Sequence, residues 1–287
     1  MIIIKDILLY YYDINILNYK CDFNNNYFIY NNAYYLLKEV GQYDISFISN
    51  IENITIISFI IKNKYNEIIS NYENKKYALI KVKISGHNKP MNINDLLFIS
   101  NINYYIPSFK INFYELWSKK VDYIESYYNN YCLENIDNNY FICLSTIAIN
   151  LIKNINFNNV TYRLTYKRFY NIDTLYDMLD PFNIKYGPVV NGIAEYIKYS
   201  YFSKKEKVEY KDILSMKLNL EDYILFVARL IFPTYYFDLL NKEDMPISDI
   251  QITCNIDEYL EYVKEIINTI KKRYIKLSFL ENIINQL

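Results

Sequence analysis

Hydrophobic positions in the first part of the chain fall into short runs separated by polar segments. Residues 1–20 mix apolar and polar positions, which is typical of a short helix or strand. The pair Asn31-Asn32 lies between two apolar runs and predicts a hairpin-type break. The runs with the length and composition of strands are 27–30, 33–40, 55–62 and 77–84. This pattern predicts a small β-rich N-terminal lobe.

After residue 107 the hydrophobic spacing changes to that of helices. Four aromatic and aliphatic residues recur at spacings of four, three and four, which places them on one helix face with Trp117 as a core anchor; they are Trp117, Val121, Ile124 and Tyr128. Further helical stretches are 142–152, 219–231 and the region from 255 onward. We therefore predict an α+β fold with a β-rich domain at 1–86 and a mostly helical domain at 87–287.

Two of these helices begin with capping signals. Asn255 stands three residues before Glu258, which is a capping-box pattern, and Asn219 stands three residues before Asp222, which is a weaker signal. Pro233 should kink or end the helix that follows Asn219.

One stretch, 179–196, holds two of the chain's four glycines. Gly187-Pro188 predicts a turn, and the 3.6-residue apolar period after it predicts a helix that opens just beyond. Asp180 ends an apolar strand or turn before this loop. An acid next to a helix N-terminus suits metal-bound phosphate, whereas the simpler interpretation is a surface turn in which Asp180 caps the backbone.

Composition and charge exclude several classes of function. Apolar residues make up 52% of the 287, so a sizeable core can form, and the 35 tyrosines with abundant Ile and Asn indicate AT-rich codons rather than a functional demand. The net charge of −1 gives no overall field that favours nucleic acid or an anionic membrane. No run reaches the roughly 18 apolar residues of a membrane span, and the N-terminus has no secretory cleavage site.

Cysteine and histidine usage limits metal and redox chemistry. The four cysteines are scattered without a Cys-x-x-Cys pair, which predicts buried free thiols in a reducing, cytoplasmic environment. The single histidine, His87, excludes a histidine-based metal site.

The pattern that begins at Asp180, Asp-x6-Gly-Pro-x5-Ala, resembles the metal-loop segment of the aminoglycoside-phosphotransferase superfamily within the protein-kinase-like fold. Among its members, the chain is most similar to the bacterial spore-coat kinase-like proteins of the CotS and YutH type. The resemblance implies a bilobal kinase-like fold, ATP and Mg²⁺ as cofactors, and protein partners in a spore coat. It also implies that Lys38, at the end of Tyr-Leu-Leu-Lys, contacts the ATP phosphates, and that Asp180 binds the metal.

The same alignment replaces the residues expected to activate the acceptor. The superfamily's His-Gly-Asp loop corresponds to Tyr166-Lys167-Arg168, with Asp173 at the position of a second metal ligand. A guanidinium has only hydrogen-bond donors and stays charged, so Arg168 cannot accept a proton from an attacking hydroxyl. Gly192 takes the place of a supporting acid in the following helix. The resemblance thus implies a kinase-like site that has lost its base.

Three functions remain open at this stage. The first is a catalytically degenerate kinase-like protein that acts as a binding or structural module, with a spore-coat role implied by the resemblance. The second is an active ATP-dependent small-molecule phosphotransferase that uses Lys38, Asp173 and Asp180 with other non-standard residues. The third is an interaction protein built from unrelated α and β regions, whose partner surface would include clusters such as Tyr10-Tyr11-Tyr12.

Overall fold

The computed structural model describes residues 2–16, 27–41, 45–51, 54, 56–83, 89–102, 104, 110–128, 138–166, 169, 172–209, 218–240 and 255–287. Contacts between Cα atoms divide the chain into two units, Met1–Asn92 with Tyr170–Lys185, and Ile93–Phe169 with Tyr186–Leu287. The domain boundary between residues 86 and 87 stays a prediction. The division by contacts breaks after Asn92 and places Tyr170–Lys185 with the N-terminal unit.

The described residues of the first unit up to Asn92 form a five-stranded antiparallel sheet and two helices, which supports the predicted β-rich N-terminal part. β5 is the central strand: β2 pairs along one edge, and β3 and β4 pair with successive parts of the other edge. β1 extends the sheet beyond β2. The elements are α1 (Ile2–Tyr12), β1 (Tyr27–Tyr30), β2 (Ala33–Glu39), α2 (Ile45–Ile51), β3 (Phe59–Ile61), β4 (Ser70–Tyr72) and β5 (Lys75–Lys81).

Two tight hairpins organise this sheet. Asn31 and Asn32 connect β1 to β2 with φ values of 47° and 58°, and Glu73 and Asn74 connect β4 to β5 with φ values of 47° and 63°. Positive φ at both central residues is the geometry of the turns that match the twist of antiparallel strands. The hairpin predicted at Asn31-Asn32 is therefore confirmed.

Two of the strand predictions need correction, and one strand was missed. β3 begins only at Phe59 rather than at residue 55, and β5 runs from Lys75 to Lys81 rather than over 77–84. β4, which reads Ser-Asn-Tyr, was not predicted because it has no apolar run. Its pairing with β5 comes from the turn between them rather than from hydrophobic patterning.

The side chains of β2 alternate between two hydrophobic layers. Leu36 belongs to a layer formed with β5, α2 and the aromatic residues Tyr176 and Phe182. Leu37 belongs to the opposite layer, which packs against α1. Because the side-chain period of a strand is two, Lys38 projects toward the same face as Leu36.

The segment that returns to this sheet carries a short helix, α6 (Leu175–Met178). The ring of Tyr176 lies 5.5 Å from the rings of both Tyr27 and Tyr34. The Ser58 backbone N–H donates to the Leu179 carbonyl at 3.1 Å, which continues the attachment. Of the apolar strand or turn predicted to end at Asp180, the strand is wrong, because Thr174 and Asp177 form a complete capping box that starts a helix, and the turn residue Leu179 follows this helix.

The second unit is mostly helical, as predicted for the C-terminal part. α8 packs against α5 and α7, and α10 packs against α8. A two-stranded sheet joins β6 to β7. The elements are α3 (Ile93–Ser100), α4 (Phe113–Tyr128), α5 (Asn138–Ile152), β6 (Tyr162–Tyr166), β7 (Ile184–Pro188), α7 (Val189–Lys204), α8 (Leu220–Ile231), α9 (Thr234–Leu240), α10 (Ile256–Arg273), a 3-10 helix (Ile275–Leu280) and α11 (Glu281–Ile284).

Stacked aromatic rings hold these helices together. Trp117 is 5% exposed and stacks on Phe232 with ring centroids 4.3 Å apart, which confirms its prediction as a core anchor. Phe141 stacks on Tyr236 at 3.8 Å. Such pairs are worth about 0.5–1.5 kcal/mol beyond the area that they bury.

Of the two predicted helix caps, the signal rated weaker, at Asn219, forms a full capping box, whereas the signal rated stronger, at Asn255, does not. Asn219 has an extended backbone, and its side chain accepts from the Asp222 N–H while the Asp222 carboxylate accepts from the Asn219 N–H. Asn255 makes no side-chain capping bond, and its ψ of 22° lies outside the extended region that an N-cap residue normally adopts. The helix after Asn219 ends at Ile231, just before Pro233, as predicted.

Two further findings concern membrane-spanning helices and the cysteines. None of the described helices combines the length and apolarity that crossing a membrane would need. Cys143 is a free and exposed thiol, so the prediction of buried thiols is wrong at this position. The other three cysteines lie outside the described residues.

Candidate functional site

Lys38 lies near the end of β2, opposite Ala78 on the central strand. Alanine at that pairing position leaves room on the sheet face, so the lysine stem can run over the surface shared with Leu36. The Lys38 side chain is 27% exposed. Among the described residues, the acceptors of its ammonium group are the side chains of Asp180 and Asn183.

Asp180 comes directly after α6 and is almost completely buried, with 2% of its side chain exposed. Its Oδ2 atom accepts from Lys38 Nζ in an ion pair. Its Oδ1 atom accepts from the Phe182 backbone N–H at 2.8 Å. The carboxylate is therefore held at both oxygens, and its direction is fixed by the turn that follows α6.

Asn183 is the third member of the cluster and was not singled out from the sequence. Its Oδ1 atom accepts from Lys38 Nζ at 2.9 Å, and its Nδ2 atom donates to the Asp177 carbonyl at 2.7 Å. Reversing the amide would set its NH₂ group against the ammonium and its oxygen against a carbonyl, so these contacts assign the orientation. Asparagine is abundant in this chain, so no compositional signal distinguishes position 183.

A second buried carboxylate, Asp177, is hydrogen-bonded to residues next to this cluster. Its Oδ1 atom accepts from the Tyr27 hydroxyl at 2.8 Å. Its Oδ2 atom accepts from the Thr174 backbone N–H at 3.1 Å and from the Thr174 hydroxyl at 2.6 Å. With all these donors, Asp177 ties β1 to the start of α6 and fixes the turn that carries Asp180.

Burial dominates the electrostatics of these groups. It raises the pKa of Asp180, and the nearby Lys38 ammonium only partly offsets that rise. Burial and the adjacent Asp177 carboxylate together raise the pKa of Tyr27, so its hydroxyl remains a hydrogen-bond donor at physiological pH. The cluster holds the Asp177 and Asp180 carboxyl groups and one ammonium.

The other predicted metal ligand lies elsewhere in the same unit. Asp173 is exposed, and its backbone carbonyl accepts from the Met91 N–H at 2.9 Å. The structure brings Asn183, not Asp173, to the ammonium of Lys38. Arg168, predicted at the position of the catalytic base, lies outside the described residues, so its replacement of an acid remains an observation on the sequence.

Tyr166 belongs to the second unit, at the end of β6. It is 1% exposed, and burial raises its pKa well above the ordinary value for tyrosine. Its ring lies 5.5 Å from that of Phe169. A hydroxyl in such surroundings keeps its proton at physiological pH, and the role of Tyr166 at the histidine position of the motif stays a prediction.

Gly192, in the first turn of α7, shows why an acid is missing at its position. The Gly192 N–H donates to Thr165 Oγ1 at 2.9 Å. A Cβ atom on residue 192 would lie 2.7 Å from that oxygen and 3.3 Å from the Tyr166 backbone nitrogen. The close approach of α7 to β6 therefore requires glycine. The helix itself was predicted and begins at Val189, while β7, which includes Gly187, replaces the predicted loop.

The donor set around Lys38 suits a hard cation only when further oxygens are supplied. Within the described ranges, no group of three or more His, Cys, Asp and Glu side chains is placed to hold a metal ion. Asp180 Oδ2 and Asn183 Oδ1 are carboxylate and amide oxygens, which Mg²⁺ accepts together with water and phosphate oxygens. These two residues fit a cation that arrives with a phosphate ligand.

Comparison with solved structures identifies the fold. The chain superposes on an aminoglycoside phosphotransferase from Alicyclobacillus acidocaldarius subsp. acidocaldarius with a TM-score of 0.55 and 9% identity, over 96% of this chain and 95% of that one. It superposes on the AMP-bound complex of the spectinomycin phosphotransferase APH(9)-Ia with a TM-score of 0.53 and 14% identity, over 92% and 93%. Neither protein-family models nor curated proteins match the sequence.

These likenesses confirm the predicted fold class. The chain has the kinase-like α+β fold of aminoglycoside phosphotransferases, with a small antiparallel sheet in the N-terminal lobe and a helical C-terminal lobe. The narrower similarity to spore-coat kinase-like proteins stays a prediction. The two likenesses extend over almost the whole chain, which argues against two unrelated regions.

Proposed function

We propose that this protein binds a nucleotide together with a divalent cation through Lys38 and Asp180, and that it has lost efficient phosphoryl transfer. The observation that carries the binding part is the ion pair between these two residues, which are 142 positions apart in the sequence. This contact supports the proposal because the resemblance assigns phosphate binding to Lys38 and metal binding to Asp180. A divalent cation bound there would neutralise phosphate charge.

The fold and one of its structural neighbours support the choice of a nucleotide as the ligand. The spectinomycin phosphotransferase with which the chain shares its fold is an AMP-bound complex. Lys38 supplies an ammonium donor for phosphate oxygens, and Asp180 supplies a carboxylate for a metal. We therefore propose ATP with Mg²⁺ as the ligand pair.

Three positions in the chain support the proposed loss of phosphoryl transfer. Arg168 stands where the motif has its catalytic acid and cannot accept a proton. Tyr166, at the histidine position, is buried with a raised pKa. Gly192, at the position of the supporting acid, admits no side chain against Thr165. A phosphotransferase without a base to orient its acceptor keeps binding but loses rate.

Binding and turnover are tested separately. We expect millimolar ATP with Mg²⁺ to raise the thermal midpoint of the wild-type protein, because a ligand that binds only the native state stabilises it. Asp180→Ala and Lys38→Met should remove the shift, while Lys75→Met, at an exposed ion pair on the same sheet, should retain it. No shift in the wild-type protein contradicts nucleotide binding.

Turnover is measured with ATP labelled in its γ-phosphate. We expect neither ATP hydrolysis nor transfer to an added acceptor above the buffer control. Magnesium-dependent turnover that disappears in Asp180→Ala would contradict the loss of transfer while leaving the binding proposal intact.

A second candidate function is an active phosphotransferase with an acceptor of the aminoglycoside type. The oriented Asp180 carboxylate and the retained Lys38 favour it, since both are parts of a working site. The turnover assay therefore includes spectinomycin and other aminoglycosides as acceptors. A spore-coat role is a prediction from the resemblance alone and is tested by whether the protein co-purifies with spore coats of its source.

A further inference from the structure

The cluster around Lys38 contains a feature that the roles of phosphate lysine and metal acid do not explain. The ammonium occupies a position on which two side-chain oxygens converge, Asp180 Oδ2 and Asn183 Oδ1. A lysine bound in this way has its donors directed at the protein rather than at a ligand.

Both oxygens are oriented before any ligand binds. Asp180 is fixed by the Phe182 N–H at its other oxygen, and Asn183 is fixed by its own donation to the Asp177 carbonyl. Neither bond involves Lys38, so the two oxygens keep their directions if the ammonium leaves. The arrangement is a preorganised pair of oxygen donors that faces a single positive charge.

The charge balance favours a cation of higher charge at this position. Asp177 and Asp180 are 4% and 2% exposed, and Lys38 is the cation that contacts the pair of oxygens. Carboxylate and amide oxygens are ligands that hard divalent cations prefer. The Lys38 side chain is 27% exposed and has a flexible four-carbon stem, so it can move into solvent while an ion enters.

We propose that Asp180 Oδ2 and Asn183 Oδ1 form one cation site, which the Lys38 ammonium occupies in the ligand-free protein and which a divalent cation takes over. Asn183 is then a metal ligand, and Lys38 is released toward phosphate only when the metal arrives. This exchange rests on the proposed function for the nucleotide step, but the entry of the metal does not need the nucleotide.

The wild-type protein tests the exchange directly. Lysine residues are acylated with an amine-directed reagent, and the labelling of Lys38 is compared with that of Lys75 by mass spectrometry at increasing Mn²⁺ into the millimolar range. Lys75 is a matched control because it forms an exposed ion pair with Glu39 on the same sheet. We expect Mn²⁺ to raise the labelling of Lys38 severalfold relative to Lys75. A constant ratio overturns the proposal, since Lys38 would then remain bound.

Variants identify the ligand. In a Lys38→Met background, Mn²⁺ binding measured by electron paramagnetic resonance should weaken at least about tenfold on adding Asn183→Leu, since even outer-shell partners of a metal account for roughly 10- to 100-fold in affinity. Adding Asn71→Ala, at an exposed position on β4, should leave binding unchanged. If the two changes weaken Mn²⁺ binding equally, or if neither change weakens it, Asn183 is not a metal ligand.

A final arm separates this inference from the proposed function. Adding ATP to the Mn²⁺-treated protein should protect Lys38 from acylation if its ammonium then contacts phosphate. Mn²⁺-dependent exposure without protection by ATP keeps the cation site and contradicts nucleotide binding. Protection by ATP without exposure by Mn²⁺ keeps nucleotide binding and overturns the exchange.

Discussion

Removing the ammonium of Lys38 should reveal how strongly the buried Asp180 carboxylate depends on it. In Lys38→Met the aliphatic stem remains, but Asp180, which is 2% exposed, keeps only the Phe182 N–H as its donor among the contacts described. Breaking a buried ion pair typically costs about 3–5 kcal/mol. Because Lys38 is 27% exposed and solvent screens part of the interaction, we expect a somewhat smaller loss, about 2–4 kcal/mol at neutral pH.

The loss of stability should depend on pH with a defined sign. Burial already raises the pKa of Asp180 above its unfolded value, and removing Lys38 removes the main influence that lowers it. The native state then binds a proton more tightly than the unfolded chain does, so protonation stabilises it as the pH falls. The loss of stability in Lys38→Met should therefore be largest at neutral pH and decrease as the pH falls through the folded-state pKa of Asp180.

The assay must report on the first unit. The single tryptophan, Trp117, lies in the second unit, so its fluorescence is unsuitable. Hydrogen exchange of peptides from β2 and β5, followed by mass spectrometry, measures the free energy of opening of the sheet itself. The same measurement at pH 5 and pH 7.5 gives the pH dependence.

Two controls make the result decisive. Lys38→Met combined with Asp180→Asn replaces the buried charge by a neutral amide and should recover stability to within about 1 kcal/mol of wild type. Lys75→Met should have no measurable effect, because its ion pair is exposed. If Lys38→Met is no more destabilising than Lys75→Met, or if Asp180→Asn fails to rescue it, the buried Asp180 carboxylate does not depend on Lys38.

Three further predictions concern the second unit, each measured by urea unfolding followed by far-UV circular dichroism. Gly192→Ala should lower the free energy of unfolding by about 1–3 kcal/mol because its Cβ atom meets Thr165. Adding Thr165→Ala should restore part of the loss. A Gly192→Ala variant of unchanged stability contradicts the close approach of α7 to β6. Arg229→Met should cost about 3–5 kcal/mol because it removes the 2.9 Å ion pair with Glu195, which is 1% exposed, and a loss below about 1 kcal/mol would contradict a stabilising role for this buried ion pair. Asp222→Ala should cost about 2–4 kcal/mol because the Thr161 N–H, the Thr161 hydroxyl and the Asn219 N–H lose the acceptor that the buried Asp222 carboxylate provides, whereas a loss confined to the fraying of α8 would leave only a capping role.

Local chemistry made part of the fold predictable. The Asn31-Asn32 hairpin followed from residues that tolerate positive φ, and the helix after Gly187 followed from its apolar period. β4 carried no such signal, because its pairing depends on a turn rather than on burial. The tertiary contact of the Asn219 cap also escaped prediction, since the Asn219 amide donates to the carbonyl of Asn159, 60 positions away in the sequence, at 2.6 Å.

The candidate site was less accessible from sequence. Lys38 and Asp180 were found through a family resemblance, because nothing in their local patterns indicates that they meet. Asn183 was missed because its role depends on the orientation of its amide between Lys38 and a carbonyl, which no spacing encodes. Asp173 was chosen by its position in an alignment; its side chain is exposed, and its role as a metal ligand stays a prediction.

The first unit is assembled from two distant pieces of chain, Met1–Asn92 and Tyr170–Lys185. During synthesis the sheet emerges long before Tyr176 and Phe182, the residues that complete one of its hydrophobic layers. In the nascent N-terminal part, one face of the sheet therefore stays only partly covered until the ribosome has added the later segment. Chaperone binding to ribosome-bound chains should accordingly persist past residue 92 and end only after residue 185 has left the exit tunnel.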